Sequence, residues 1–187
     1  DRYVVLEKVN RTTKDGKARY AEAKEFAEDR GRQIICQEAY YEIQAMAASI
    51  DAHGDARSLI SDALYEKSIY WNDPNTGLLC KVRPDIWHSN MICDLKTCMS
   101  ASYKDFQRSI AGYGYHLQAG MIQEAIKHVM GEKINNFVYV AIEKEPPYAV
   151  AIYQLDEMAV EEGVAQFRHI IKCVKECMDA HHWPSYD

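Results

Sequence analysis

Asp85, Asp94 and Lys96 lie within the stretch "VRPDIWHSNMICDLKT", residues 82–97, the first after a proline and the other two separated by one leucine. On a β-strand alternate side chains share a face, so Asp94 and Lys96 project together while Leu95 faces away. If the strand bearing Asp85 pairs with the strand bearing Asp94, the two carboxylates converge at one end of a hairpin. Two convergent carboxylates suit Mg²⁺, a hard cation that takes oxygen ligands and keeps several waters, with Mn²⁺ as the alternative ion. A lysine beside them can orient or deprotonate an attacking water, or stabilise charge developing on a phosphate. An Asp-x-Lys tripeptide alone is weak, because a solvated strand face with a loose ion pair has the same pattern. The apolar neighbours Ile92, Cys93 and Leu95 strengthen it, since they place the charges on a partly buried strand where unpaired charge is costly. Chance, a surface hairpin and a metal-dependent phosphodiesterase site all remain open on these residues.

The elements that must position these groups follow from periodicity. "GKARYAEAKEFAED", residues 16–29, reads as an amphipathic helix stopped at Gly31, and "RQIIC" as an edge strand or an extended entry. In residues 37–53, Ala39, Ile43, Met46, Ala47 and Ile50 recur at helical spacing, and "DARSLISDAL" adds a further turn or two. "YEKSIYW" and "GLLCKVRPDIW" flank the turn formers "NDPNT", a hairpin signal, and "MICDLKT" follows as a third strand. The aspartates are thereby expected on the second and third of three successive strands. Helical periodicity returns after Lys104, broken at Gly112 and Gly114, with Leu117, Met121, Ile122, Ala125 and Val129 on one face of residues 115–130. "NNFVYVAIEK" and "YAVAIYQLD" are two more strands. A last helix is expected from an Asp156 N-cap to Ala180, burying Val160, Val164, Phe167, Ile171, Val174 and Met178. The order predicts an α/β (α+β) fold, a central mixed sheet of about five strands flanked by helices.

The totals narrow the classes. A chain of 187 residues, 48% hydrophobic and 27% charged, is expected to form one domain over residues 1–187 with a real core. No apolar run approaches a membrane span, and a cytoplasmic protein is expected. A net charge of −6 excludes broad, non-specific coating of nucleic acid, though not a local basic groove. The six cysteines contain no CxxC pair and are expected to be reduced, mostly buried thiols.

"RPD", Asp94 nine residues after Asp85, "DLKT" and a following helix bearing "YHLQ" together resemble the PD-(D/E)xK nuclease superfamily. Within it the chain is most similar to the exodeoxyribonuclease VIII family of phage and prophage recombination nucleases. "RTTKDGKARYAEAKEFAEDRG", "IQAMAASIDAHGDARSLI", "GYGYHLQAGM" and the terminal "WPSY" also look like stretches of that family. The resemblance implies a restriction-endonuclease-like core in which Asp85 and Asp94 are metal-binding carboxylates. The backbone carbonyl of Leu95 would be a further ligand, Lys96 the catalytic lysine, and Gln118 a residue positioning the lysine or the phosphate. Arg83, Tyr115 and His116 are candidate DNA contacts. The implied activity is Mg²⁺-dependent hydrolysis of double-stranded DNA from its ends, 5′→3′, leaving single strands for a single-strand annealing recombinase. A ring-like homo-oligomer, a tetramer in the resemblance, is implied too, in a bacterial host carrying the phage or prophage gene.

Two departures from the pattern bear on this. Relatives often carry a tyrosine four residues after the glutamine, where this chain has Ile122. They also have an upstream glycine- and histidine-containing segment whose histidine joins the metal site. That segment is expected to precede "DRYVVLEK", leaving His53 as the in-chain alternative. The rival readings are a catalytically impaired DNA-binding or assembly module of the same fold, and a structure-specific endonuclease. His181 and His182, Trp71 and Trp87 are expected to be ordinary surface or packing residues, whereas Lys81, Lys104 and Arg108 are open between phosphate contacts and a solvated face.

Overall fold

A computed structural model describes residues 2–134 and 136–185. Tyr186, in the terminal "WPSY", lies outside the described residues. The chain divides into two compact units, Asp1–Ala52 and His53–Asp187.

In the first unit, β1 (Tyr3–Leu6) pairs in parallel with β2 (Gln33–Cys36) through the intervening α1 (Lys14–Glu28), and α2 (Gln37–Ala52) follows directly. Thr13 starts α1 earlier than the apolar periodicity indicates, because its hydroxyl accepts the Gly16 N–H at 3.1 Å. Gly16 is required there: a Cβ would run into the Asn10 carbonyl. "RQIIC" is therefore a strand, and its partner β1 carries a pattern too short for periodicity to reveal.

The second unit begins with α3 (Gly54–Ile60), β3 (Leu64–Tyr65), β4 (Ile69–Asn72), β5 (Leu79–Val82), β6 (Ile86–Trp87) and β7 (Met91–Cys98). It continues through α4 (Tyr103–Gly112), α5 (Tyr115–Met130), β8 (Asn136–Glu143), β9 (Val150–Gln154) and α6 (Glu157–Ala180). The central mixed sheet has five strands in the order β3-β6-β7-β8-β9, with β7 and β8 parallel and the other neighbours antiparallel. The expected strand count holds, but its membership differs. "YEKSIYW" and "GLLCKV" form their own two-stranded sheet, β4-β5, whose inward residues Ile69, Trp71, Cys80 and Val82 are buried in the same core. Buried Pro84 separates β5 from β6, so the second expected strand is two short ones in different sheets, and Asp85 sits at the bend between them.

The core joins β7, β8, the β4-β5 hairpin, α5 and α6, with Phe106, Ile126 and Ala141 fully buried. Gly114 begins α5 with φ of +66°, a left-handed conformation that ends α4 and redirects the chain. At Gly120 and Gly163 the backbones of α5 and α6 touch, leaving no room for a Cβ on either. This closeness makes α5 more buried than its amphipathic pattern indicates: Gln123 and Glu124 are buried with Ile122, Ala125 and Ile126, whereas Val129 is 54% exposed. On α6, Phe167 and Ile171 are buried as expected and Asp156 is the N-cap, but Met178, in the last turn of the helix, stands 46% exposed.

Candidate active site

Register brings the two aspartates together. The antiparallel ladder between β6 and β7 sets Ile86 opposite Cys93, so the next step outward sets Asp85 opposite Asp94. The Asp85 carbonyl accepts the Glu66 N–H at 3.0 Å, which ties the bend to the end of β3. Its carboxylate accepts the Leu95 N–H at 3.4 Å. In an extended strand the N–H and C=O of one residue face the same edge, so the Leu95 carbonyl also lies on the edge facing Asp85.

Asp94 and Lys96 share one face of β7 and both reach Gln118 of α5, as alternation requires, while the Leu95 side chain points away and is 40% exposed. Asp94 is 4% exposed and ion-paired with Lys96, whose side chain is 18% exposed. Gln118 bridges the pair from α5: its Nε2 donates to Asp94 Oδ1 at 3.2 Å, and its Oε1 accepts from Lys96 Nζ at 3.1 Å. Asp94 Oδ2 is buried and, beyond the Lys96 ammonium against it, has no hydrogen-bond partner.

The electrostatics follow from two carboxylates sharing one ammonium. Burial, and then the neighbouring Asp94 charge, raise the Asp85 pKa above the usual carboxylate value. Burial and the same two aspartates push the Cys93 thiol up to about 12, keeping it a protonated core group. Tyr139, which lies beside Asp94 in the β7-β8 register, is also raised, first by burial and then by Asp94. This local excess of negative charge, two carboxylates to one ammonium, fits a divalent cation. Mg²⁺ binds through one or two carboxylates plus water, so the two aspartates and the Leu95 carbonyl are an adequate donor set. Among the described residues no three His, Cys, Asp or Glu side chains converge as a metal cage.

The other sequence candidates are placed as follows. His53 caps α3, its Nδ1 accepting the Ala56 N–H at 3.3 Å, and is not grouped with the two aspartates. Arg83 is half-exposed and paired with Glu66 at 2.7 Å, two residues before Asp85. His116 is held by Gln166 of α6 at 3.0 Å. Tyr115 puts its ring 4.7 Å from the Lys96 ammonium. Ile122, where relatives often have tyrosine, is buried at 3% exposure and packs in the core.

Sequence reasoning missed Tyr139, which reads as a core strand residue and whose hydroxyl donates to the Tyr115 carbonyl at 2.8 Å. It also missed Asp73, fully buried in the β4-β5 turn and ion-paired with Arg168 of α6, which also pairs with Glu124 of α5. No local signal identifies a buried Asp in "NDPNT", a segment that otherwise reads as a solvated turn.

Residues 6–187 match the family described as "PDDEXK-like domain of unknown function (DUF3799)". The chain belongs to that family. The fold agrees with a crystal structure of a "Putative exonuclease" from Eubacterium rectale, at a TM-score of 0.69 and 16% identity over 90% of this chain. This PDDEXK-like chain spans 65% of the length of that protein. The crystal structure of SSO0001 is 16% identical over 91% of this chain and 76% of that one, but its TM-score is 0.37. No curated protein matches the sequence. The PD-(D/E)xK-type fold expected from "RPD…DLKT" is thus the fold of this chain. No described helix is long and apolar enough to cross a membrane.

Proposed function

We propose that this chain is a Mg²⁺-dependent deoxyribonuclease that hydrolyses phosphodiester bonds from double-stranded DNA ends. The observation that carries this is the single cluster made by Asp85, Asp94, Lys96 and Gln118, drawn from a bend, a strand and a helix. Asp85, Asp94 and the Leu95 carbonyl would hold the cation, which when bound supplies Lewis-acid activation of water and neutralises phosphate charge. Lys96 presents a fixed ammonium to the scissile phosphate, stabilising the charge that develops there. Gln118 fixes that ammonium relative to Asp94, because its amide satisfies both partners at once. The low exposure of Asp94 and Lys96 strengthens each of these interactions by excluding water.

The resemblance to the exodeoxyribonuclease VIII family supports the finer assignments. They are 5′→3′ polarity, a ring-like tetramer, a single-strand annealing partner, a phage or prophage origin and a cytoplasmic site of action. Arg83, two residues before Asp85 and paired with Glu66, is the candidate DNA contact beside the cluster.

The test is nucleotide release from linear duplex DNA with Mg²⁺, with a covalently closed circle as the parallel substrate. Linear DNA is expected to be degraded and the circle left intact. Lys96→Ala is expected to lower the rate by about 100-fold or more, the scale of losing a preorganised charge-stabilising group. Cutting of the circle would make the chain an endonuclease. An unchanged rate in Lys96→Ala would remove the site from the reaction.

A further inference from the structure

Lys96 is held from more sides than the acid pair and glutamine provide. Its ammonium lies 4.7 Å from the centroid of the Tyr115 ring and 6.0 Å from that of Tyr139. Asp94 and Gln118 take two of its directions, and the Tyr115 face covers another. We propose that Tyr115 is a positioning residue for Lys96, retaining the ammonium over its ring when a divalent cation engages Asp94. This rests on the nuclease reading above.

The need for such a group follows from the double duty of Asp94. The same carboxylate pairs with Lys96 and belongs to the acidic pair that would hold the cation. A cation bound there would draw on the Asp94 oxygens that hold Lys96, leaving the ammonium with Gln118 Oε1 and the ring beside it. An aromatic face attracts an ammonium through its quadrupole but offers no oxygen to Mg²⁺. The ring therefore holds Lys96 without competing for the metal and without adding a third carboxylate to the site.

Tyr115 is itself well fixed. It is the first residue of α5, set by the left-handed Gly114, and its carbonyl accepts the Tyr139 hydroxyl at 2.8 Å. Its ring stacks on Tyr113 at 5.8 Å and packs against Tyr139 at 5.5 Å and Phe106 at 6.1 Å. Tyr139 is 3% exposed and is the β8 residue beside Asp94. The two tyrosines thus tie β8, the parallel neighbour of the strand that carries Asp94 and Lys96, to the helix that carries Gln118. The ring, rather than the Tyr115 hydroxyl, makes the contact with the ammonium.

The experiment compares Tyr115→Phe with two non-aromatic replacements, Tyr115→Leu and Tyr115→Met, so that one poorly folding variant does not decide the result. Steady-state cleavage of linear duplex DNA is measured beside the NMR shift of the Lys96 ε-methylene, assigned by its loss in Lys96→Ala. In wild type and Tyr115→Phe that resonance is expected to be shielded by the ring, with Mg²⁺ and with EDTA alike. In Tyr115→Leu and Tyr115→Met it is expected at the ordinary lysine position, with kcat lowered about 10-fold, the scale of a desolvated cation–π contact. KM is expected to stay within about 2-fold, because the ring acts through Lys96 and not on DNA.

Loss of shielding on adding Mg²⁺ to wild type would overturn the proposal. So would a kcat in Tyr115→Phe as low as in Tyr115→Leu, or a rise in KM alone. A wild-type chain that cuts no DNA yet shows the expected shielding pattern would refute the nuclease reading while leaving the placement of Lys96 standing.

Discussion

At the scale of single residues, the site is organised by one amide. Gln118 donates to Asp94 and accepts from Lys96, so it sets the distance between a buried carboxylate and the ammonium that neutralises it. Hydrogen bonds to charged groups contribute about 1.5–3 kcal/mol each. Gln118→Ala removes two such bonds, with the ion pair remaining as partial compensation. It is expected to lower kcat by about 10- to 100-fold and stability by about 2 kcal/mol. Parallel cleavage kinetics and urea denaturation check both; a full-rate Gln118→Ala enzyme would show that the lysine needs no such support.

Among the elements, the decisive contacts join α5 and α6 to the sheet and to the β4-β5 hairpin. The helices meet backbone to backbone at Gly120 and Gly163, and Arg168 reaches from α6 to both Asp73 in the hairpin turn and Glu124 on α5. Burial alone would raise the Asp73 pKa, but hydrogen bonds from Thr76 and Arg168 outweigh it and hold the carboxyl below its ordinary value of 3.8. The folded chain therefore binds fewer protons at Asp73 than the unfolded chain does. Its stabilising contribution is complete above pH 3.8 and is lost as pH falls through the depressed folded value. Asp73→Asn is expected to cost about 3 kcal/mol near neutral pH, since it leaves Arg168 short of a buried partner. Denaturation curves from pH 6 downward are expected to show that gap narrowing below the ordinary carboxylate value. A gap independent of pH would mean that shape, and not charge, is what Asp73 contributes.

For the whole molecule, the net charge of −6 has the same sign as the acidic pair, so both would oppose the approach of the DNA proposed as substrate. A divalent cation held as proposed would offset both the local repulsion at Asp85 and Asp94 and part of the overall negative charge. Ligand binding to the folded state alone stabilises it, by about 2.7 kcal/mol at a hundred times Kd. Mg²⁺ is therefore expected to raise the Tm of the metal-free protein by several degrees, and EDTA to reverse the rise. Asp85→Ala and Asp94→Ala are expected to abolish that response. An equal shift in the double variant would place the stabilising ion elsewhere.

By itself the sequence determined the local periods and the residues that alternate with them. Strand alternation put Asp94 and Lys96 on one face, Asp156 marked the start of α6, and Gly112 and Gly114 marked the break before α5. These depend only on near neighbours in the chain, so they are legible without the fold. Tertiary structure decided which strands share a sheet, and so moved β4 and β5 into a separate hairpin and left Asp85 on a bend opposite Asp94. It also recruited Tyr139 to the site and buried Asp73 and Glu124 around Arg168. Strand partners and buried ion pairs join residues far apart in the chain, and their stability comes from packing and exclusion of water. No periodicity encodes those pairings.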